Sequence, residues 1–295
     1  MNYAEVPADR PATLRVACVQ LNSRDDVDAN VRIAAELVER AAVAGARLIA
    51  LPETWNYKGG LRGILGSGEE LDGPSLSRMR ELAAAFGVYL LAGSIYETTD
   101  RPGRFYNTSV LFGPDGAPVA EYRKLHLFDA VSGTVAYRES EVLDAGDQMV
   151  VADVDGVGVG LSICYDLRFP ELYVRLALAG ASVLAAPAAF TSHTGAAHWQ
   201  VLVRARAIET GCFVLAPNQV GFHTRTNECY GHSLVVDPWG RVLSELEDCV
   251  GFCVADLDLD TVDETRKALP SLRHRRPEVY GVSPEETPGV SAGAG

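Results

Sequence analysis

The chain has 295 residues, of which 47% are hydrophobic, so it can form one large domain or two small ones. Its formal net charge of −13 argues against nucleic acid or an anionic membrane as a partner. The six cysteines are scattered without a C-x-x-C pair, and no H-E-x-x-H helix is present, so we expect no metal site. Cys249 and Cys253 flank Val-Gly-Phe in a predicted strand and are expected in the core.

Two sequence features bear on the location of the protein. The N-terminus has no basic region followed by an apolar one, so we expect no secretory signal. The longest apolar run, residues 176–190, is interrupted by Ser182 and Pro187 and falls short of the roughly 18 residues of a membrane span. These features predict a cytoplasmic protein with reduced thiols.

The first half of the chain alternates strands and helices. A short apolar strand is predicted over 14–21, a helix from Val31 to a cap at Gly45, and a strand over 47–51 that ends at Pro52-Glu53. A Gly-rich segment, residues 57–68, follows. The remaining predicted elements are a helix over 74–86, a strand over 87–95, and a hairpin of 107–112 and 118–124 around Gly113-Pro-Asp-Gly116.

The second half repeats this order. A strand over 157–163 leads directly to Cys164, and a helix begins at Pro170. Residues 44–53 resemble residues 179–188, and each copy follows a strand and a helix, which requires a parallel crossover in each half. Two similar halves predict two sheets packed face to face with helices outside. A helix over 198–210 and strands over 212–217, 230–236 and 251–257 complete the second half.

Two residues at predicted strand ends, Glu53 and Cys164, are candidates for chemistry. Ligand sites of open α/β sheets lie outside the carboxyl ends of the strands, so both residues could share one cleft. A thiol with an ordinary pKa of about 8.5 needs a neighbouring base or cation to act as a nucleophile. None of the six histidines ends a strand as Glu53 does, and His126 comes closest. The alternatives are that Cys164 is a buried hydrophobe and Glu53 an acid that caps a turn.

Lys124 and Glu139 are the other candidates. Lys124 lies between apolar flanks at the end of a strand, where its ammonium could stabilise an oxyanion and favour a thiolate. The alternative is a lysine that extends along the surface. Glu139 lies between two turn segments and could equally be an ordinary surface acid.

Three blocks that contain these residues resemble the signature motifs of the nitrilase, or carbon–nitrogen hydrolase, superfamily, in the same order. They are Leu51-Pro-Glu53-Thr-Trp, Tyr122-Arg-Lys124-Leu-His-Leu-Phe and Ser162-Ile-Cys164-Tyr-Asp-Leu-Arg-Phe-Pro-Glu. The resemblance covers about residues 13–281, which predicts one domain over 13–281 with flexible tails at 1–12 and 282–295. Cys164-Tyr165-Asp166 departs from the Cys-Trp-Glu of true nitrilases and resembles the omega-amidase and deaminated-glutathione amidase branches.

The resemblance implies an α/β fold, a four-layer α-β-β-α sandwich with an internal pseudo-repeat. It also implies a Glu-Lys-Cys triad in which Glu53 is the general base, Lys124 the cation beside the oxyanion, and Cys164 the nucleophile. Glu139 matches the supporting second glutamate. The backbone N–H of Tyr165 is expected to hold the oxyanion, and the residues expected to contact substrate are Tyr57, Phe190 and Thr191.

The predicted activity is hydrolysis of a small carboxamide to the acid and ammonia through a cysteine thioester, without metal or organic cofactor. The rival enzymes are a nitrilase or an N-carbamoyl hydrolase on the same triad, and the rival of another class is a catalytically idle binding or assembly subunit. Arg168 could pair with a substrate carboxylate or form a salt bridge with Asp166 or Glu171. The only partners expected are the amide substrate and further copies of the chain, in a homodimer or higher homo-oligomer.

Overall fold

The structure is a computed structural model that describes residues 10–133 and 135–280, apart from the side chains of residues 61 and 62. The predicted tails, residues 1–12 and 282–295, therefore lie mostly outside the described residues. Within the described ranges, no helix combines the length and apolar character needed to cross a lipid bilayer. The cytoplasmic location stays a prediction.

Seven α-helices and eighteen strands are present in the described residues. The helices are α1 (Val27–Val43), α2 (Leu61–Ser67), α3 (Pro74–Phe86), α4 (Pro170–Leu178), α5 (Ser192–Thr210), α6 (Asp260–Ala268) and α7 (Pro277–Tyr280). The strands of the first half are β1 (Thr13–Gln20), β2 (Leu48–Ala50), β3 (Tyr89–Leu91), β4 (Ile95–Thr98), β5 (Phe105–Phe112), β6 (Pro118–Arg123), β7 (Asp129–Ser132), β8 (Val135–Arg138) and β9 (Leu143–Asp144). The remaining strands are β10 (Val151–Val154), β11 (Val157–Leu161), β12 (Val183–Ala185), β13 (Phe213–Ala216), β14 (Val220–Phe222), β15 (Glu228–Tyr230), β16 (Leu234–Val236), β17 (Val242–Glu245) and β18 (Gly251–Asp258).

Two large sheets form the centre of the molecule. The first has eight strands, in the order β18-β1-β2-β3-β5-β4 with β6 and β9 also paired to β5. The second has six strands, in the order β10-β11-β12-β13-β16-β17. One apolar core combines residues of both sheets, including Val16 and Leu48 of the first with Val159 and Phe213 of the second. The sheets therefore pack face to face.

Helices cover the outer face of each sheet. A second core joins α1 and α3 to the first sheet, and a third joins α4 and α5 to the second sheet. The layers therefore run helix, sheet, sheet, helix, which confirms the predicted sandwich. Burial of these apolar faces on both sides of each sheet explains why the central strands are continuous apolar runs.

The internal repeat is present in the topology. The parallel strands β1, β2 and β3 are joined through α1 and α3, and β11, β12 and β13 are joined in the same way through α4 and α5. Local sequence signals account for the helix ends. The Asp26 side chain accepts a hydrogen bond from the N–H of Ala29 at the start of α1, and Pro170 occupies the first turn of α4.

Four details differ from the sequence prediction. The apolar run 87–95 is split into β3 and β4 at Gly93, which has a φ of 48°. The run 230–236 is split in the same way between β15 and β16, and α2 lies within the Gly-rich segment. Cys249 is exposed rather than part of the core, because it lies in the loop before β18.

Candidate active site

Cys164 lies at the sharp turn between β11 and α4. Its φ is 49°, a left-handed conformation that is uncommon for a residue other than glycine and costs about 1–3 kcal/mol. The N–H of Cys164 donates to the carbonyl of Pro187 at 2.8 Å. The buried Asp166 carboxylate fixes the same turn, because it accepts from the N–H of Ile163 at 2.8 Å and from the hydroxyl of Tyr122 at 2.6 Å. The turn therefore presents the thiol in a fixed direction.

Glu53 follows β2 at the carboxyl end of the first sheet and is only 3% exposed. Its N–H donates to the carbonyl of Ala188, which follows β12 in the second sheet, at 3.3 Å. Its side chain lies within hydrogen-bonding range of the Cys164 thiol. The structure thus brings together the two strand ends that the sequence singled out.

Lys124 follows β6 and is 1% exposed, so it is not a surface lysine. Its Nζ atom lies 2.8 Å from Glu53 Oε1 and 2.9 Å from Glu139 Oε2. Glu139 also accepts a hydrogen bond from the N–H of Phe128 at 2.8 Å, which holds its carboxylate against the ammonium. Lys124 therefore forms ion pairs with both Glu53 and Glu139, next to Cys164.

Burial and charge set the protonation states of these groups. Burial alone would raise the pKa of Glu53, but the ammonium groups of Lys124 and Lys58 outweigh it and lower that pKa. Burial and the Glu53 carboxylate raise the pKa of the Cys164 thiol well above its ordinary value, against the opposing effect of Lys124. Burial opposes the charge of Lys124, yet Glu139 and Glu53 raise its pKa well above the ordinary value. At neutral pH the site therefore holds a neutral Cys164 thiol, an ionised Glu53 and a protonated Lys124.

A small cleft of about 50 Å³ opens above the thiol. Its polar lining includes Lys58, Glu139, Cys164, Arg168, Thr191 and Asn227. Its aromatic lining consists of Phe128, Tyr137, Tyr165 and Phe190.

Phe190 and Thr191 therefore lie where the sequence predicts substrate contacts, whereas the structure does not bring Tyr57 to the cleft. Tyr57 is 5% exposed, and its hydroxyl donates to the carbonyl of Gly60 at 3.2 Å. The next residue, Lys58, lines the cleft instead.

The N–H of Tyr165 follows the nucleophile in the turn. Among the described residues, no backbone or side-chain group accepts a hydrogen bond from it. Arg168 forms neither of the internal salt bridges that the sequence allowed. Its guanidinium lies over the ring of Phe190 at 5.1 Å, and one of its nitrogens is 3.3 Å from His198 Nδ1.

His126, the alternative base, contacts two residues of the segment that follows Cys164. Its Nδ1 atom lies 2.7 Å from Asp166 Oδ1, and its ring stacks on Phe169 with centroids 3.6 Å apart. Within residues 10–133 and 135–280, no group of three or more potential metal ligands is arranged to hold an ion.

Sequence reasoning missed three residues of this site. Asn107 is buried and donates from Nδ2 to Glu53 Oε1 at 2.8 Å, but it lies inside a strand whose apolar pattern gives no sign of it. Asp166 was quoted only as part of a motif. Lys58 had one available signal, because the chain has only three lysines among its 26 basic residues, and this one follows Glu53 by five positions.

Comparison with known proteins decides the family. Residues 15–267 match the model of the carbon-nitrogen hydrolase family, which is most of the chain. The chain belongs to the carbon–nitrogen hydrolase family. The membership confirms the predicted class of function, hydrolysis of an amide carbon–nitrogen bond through a catalytic cysteine.

The relatives of this carbon–nitrogen hydrolase agree in sequence and fold. The chain is 42% identical to a mouse protein named deaminated glutathione amidase over 273 residues, 90% of this chain and 84% of that protein. It is similar to a Saccharomyces cerevisiae structure from branch 10 of the nitrilase superfamily, with a TM-score of 0.83, 32% identity, and coverage of 93% and 100%. It is also similar to an amidase from Nesterenkonia, with a TM-score of 0.78, 26% identity, and coverage of 94% and 98%. In that structure, a glutamate-to-glutamine mutant, the active-site cysteine carries the acetamide moiety of fluoroacetamide.

Proposed function

We propose that the chain hydrolyses the carboxamide of a small substrate to the acid and ammonia through a thioester on Cys164. The observation that carries the proposal is the buried ion pair of Glu53 and Lys124, 2.8 Å apart, beside the Cys164 thiol. The lowered pKa of Glu53 and the raised pKa of Cys164 agree with a base next to a protonated thiol. A thiol with a raised pKa cannot attack unless its proton leaves in the same step, and Glu53 is the group placed to accept it.

In the proposed acylation, Sγ of Cys164 attacks the amide carbonyl carbon while its proton passes to Glu53. The carbon–oxygen double bond opens to an oxyanion, which the Tyr165 N–H and the Lys124 ammonium stabilise. Lys124 Nζ lies within hydrogen-bonding distance of Glu53 Oε1 and of both carboxylate oxygens of Glu139, so the oxyanion shares this ammonium with the two glutamates. The proton on Glu53 then passes to the leaving nitrogen, the carbon–nitrogen bond breaks, and ammonia departs.

In the proposed deacylation, a water replaces ammonia beside Glu53. Glu53 takes a proton from this water, whose oxygen attacks the thioester carbonyl and forms a second oxyanion at the same donors. The carbon–sulfur bond then breaks, and the proton returns to the thiolate. The covalent adduct of the Nesterenkonia amidase supports a nucleophilic cysteine. The name of the mouse relative makes deaminated glutathione a further amide to test, in which the leaving group would be an amine in place of ammonia.

The thioester is tested by intact-protein mass spectrometry of reactions quenched during turnover. We expect an acyl adduct on the wild-type chain that is absent from Cys164→Ala. Cys249→Ala is the matched control, because that thiol is exposed in a loop remote from the motif residues, and it should retain the adduct. Substantial ammonia release by Cys164→Ala would contradict the proposal.

We also propose that the chain is a homo-oligomer that associates through the outer face of α5. Val201 and Ile208, two turns apart on this helix, are 66% and 52% exposed, and Trp239 beside them is 51% exposed. An exposed apolar surface of this kind is typical of a protein interface. Light scattering at micromolar concentration should give a dimer or larger assembly that Val201→Glu weakens, and a monomeric wild-type mass would contradict the proposal.

A further inference from the structure

Lys58 is a cation of the cleft that the reaction proposed above does not use. The chain has only three lysines: Lys124 acts in the proposed reaction, Lys267 is exposed on α6, and Lys58 lines the cleft with Cys164. Arg168, the other cation of the cleft, has His198 and the ring of Phe190 as neighbours.

The Lys58 ammonium has no hydrogen-bond or salt-bridge partner within residues 10–133 and 135–280. Burial opposes its charge, but the surrounding Cys229, Tyr96 and Glu53 raise its pKa, so it stays protonated at neutral pH. A half-buried ammonium without an acceptor is costly unless a ligand or water completes it.

The acidic groups nearby are already engaged. Glu53 accepts from Lys124 and Asn107, and Glu139 accepts from Lys124 and the N–H of Phe128. Burial raises the pKa values of Cys229 and Tyr96 to about 12, so both are neutral at pH 7. The walls of the cleft therefore carry a surplus of positive charge, from Lys58 and Arg168 against Glu139.

The backbone around Lys58 is held in place by its neighbours. Its N–H donates to the carbonyl of Arg24 at 3.0 Å. The Tyr57 ring packs against Gly59 and Gly63, where a Cβ atom at either glycine would collide with the Tyr57 hydroxyl. These contacts hold the backbone of Lys58 in position beside the cleft.

We propose that Lys58 determines substrate specificity by binding a negatively charged group, such as a carboxylate, on the amide that Cys164 attacks. This inference names a substrate class for the proposed function and so rests on it. A charge-assisted hydrogen bond contributes about 1.5–3 kcal/mol, which predicts a preference of roughly 10- to 100-fold.

The test compares succinamate with succinamide, which differ by one carboxylate in place of one carboxamide. We expect Lys58→Met to lower the ratio of kcat/KM for succinamate to that for succinamide by 10- to 100-fold, and Lys58→Arg to restore part of it. Lys267→Met, which removes an exposed ammonium, should leave the ratio unchanged. An unchanged ratio in Lys58→Met, or an equal loss on both amides, would overturn the inference.

A second measurement does not depend on turnover. The alkylation rates of Cys164 by iodoacetate and by iodoacetamide are measured by peptide mass spectrometry, with exposed Cys249 as the internal reference for the reagents. Lys58→Met should lower the iodoacetate-to-iodoacetamide ratio at Cys164 and not at Cys249. If the wild type hydrolyses neither amide, the proposed function fails. The alkylation ratio still decides the role of Lys58, and an unchanged ratio refutes it.

Discussion

Replacing Glu53 with glutamine separates the proton-transfer role of this residue from its structural one. Both donors to the side chain, Lys124 Nζ and Asn107 Nδ2, bind the same oxygen, Oε1, at 2.8 Å. The carbonyl oxygen of a glutamine can occupy that position and keep both hydrogen bonds. The amide nitrogen then takes the place of the second oxygen and cannot accept a proton from Cys164.

The size of the effect follows from the chemistry that is lost. General base catalysis contributes about 10²- to 10⁴-fold, or about 2.7–5.5 kcal/mol, to each step that it assists. Because the thiol has a raised pKa, Glu53→Gln should slow acylation by a factor in this range. Deacylation should slow similarly, since the same carboxylate is proposed to activate water, so a thioester made from an activated ester should persist.

The assay is single-turnover kinetics with p-nitrophenyl acetate. Release of p-nitrophenol reports acylation, and intact-protein mass spectrometry follows the decay of the acetyl adduct. Glu39→Gln, which changes an exposed carboxylate of α1 in the same way, is the control and should match the wild type. If Glu53→Gln loses the adduct at the wild-type rate, Glu53 is not the base of the hydrolytic step, and His126 becomes the residue to test.

Three further predictions follow from the charges of the site and its surroundings. Lys124→Met should slow both acylation and deacylation by about 100- to 1000-fold in the same single-turnover assay, as expected for a lost oxyanion donor, and a loss confined to one step would contradict this role. The pKa of Glu53 is lowered from its ordinary value of 4.5, so this base stays ionised at any pH above 4.5, and the pKa of Cys164 is raised from 9.0, so the thiol stays protonated at any pH below 9.0. The value of kcat/KM should therefore not change with pH between 4.5 and 9.0, and a titration midpoint near neutral pH would contradict the assignment. His223 is 4% exposed, and burial lowers its pKa from 6.5 to about 3. Between pH 6.5 and about 3, the unfolded chain therefore binds one more proton than the folded chain, so the free energy of unfolding decreases as the pH decreases. In urea titrations, His223→Asn should remove a slope of up to about 1.4 kcal/mol per pH unit, and an identical slope in both proteins would contradict this reasoning.

The sequence was sufficient for the parts of the fold that depend on regular patterns. The paired strand–helix–strand halves and the strand-end positions of Glu53 and Cys164 follow from apolar periodicity and short motifs. Lys124 and Glu139 were candidates from their positions in the sequence, and their roles came from the resemblance of the motifs. In the structure, Lys124 lies between the carboxylates of Glu53 and Glu139.

The remaining features of the fold and the site depend on contacts between segments that are distant in the sequence, and no local sequence pattern predicts such contacts. The run 87–95 is mostly apolar, yet the strand breaks at Gly93. A Cβ atom at this position would collide with the carbonyl oxygen of Pro52, the residue directly before the proposed base. Asn107 belongs to a strand pattern, and its role appears only once β5 lies beside Glu53. Tyr57 and Lys58 lie in a segment without apolar periodicity, so the sequence does not indicate which of the two side chains faces the cleft. The structure shows that it is Lys58.

Because the active site lies between the two sheets, catalysis depends on the correct packing of one sheet against the other. Glu53 and Lys124 follow strands of the eight-stranded sheet, whereas Cys164 follows a strand of the six-stranded sheet. The Tyr122 hydroxyl bonds Asp166 across this boundary at 2.6 Å. A slip of one residue along a strand, about 3.3 Å, exceeds the reach of such a bond. A compact state that keeps its secondary structure but loosens its packing should therefore be inactive while its far-ultraviolet circular dichroism is still intact. Turnover would then report the onset of unfolding earlier than the backbone signal does.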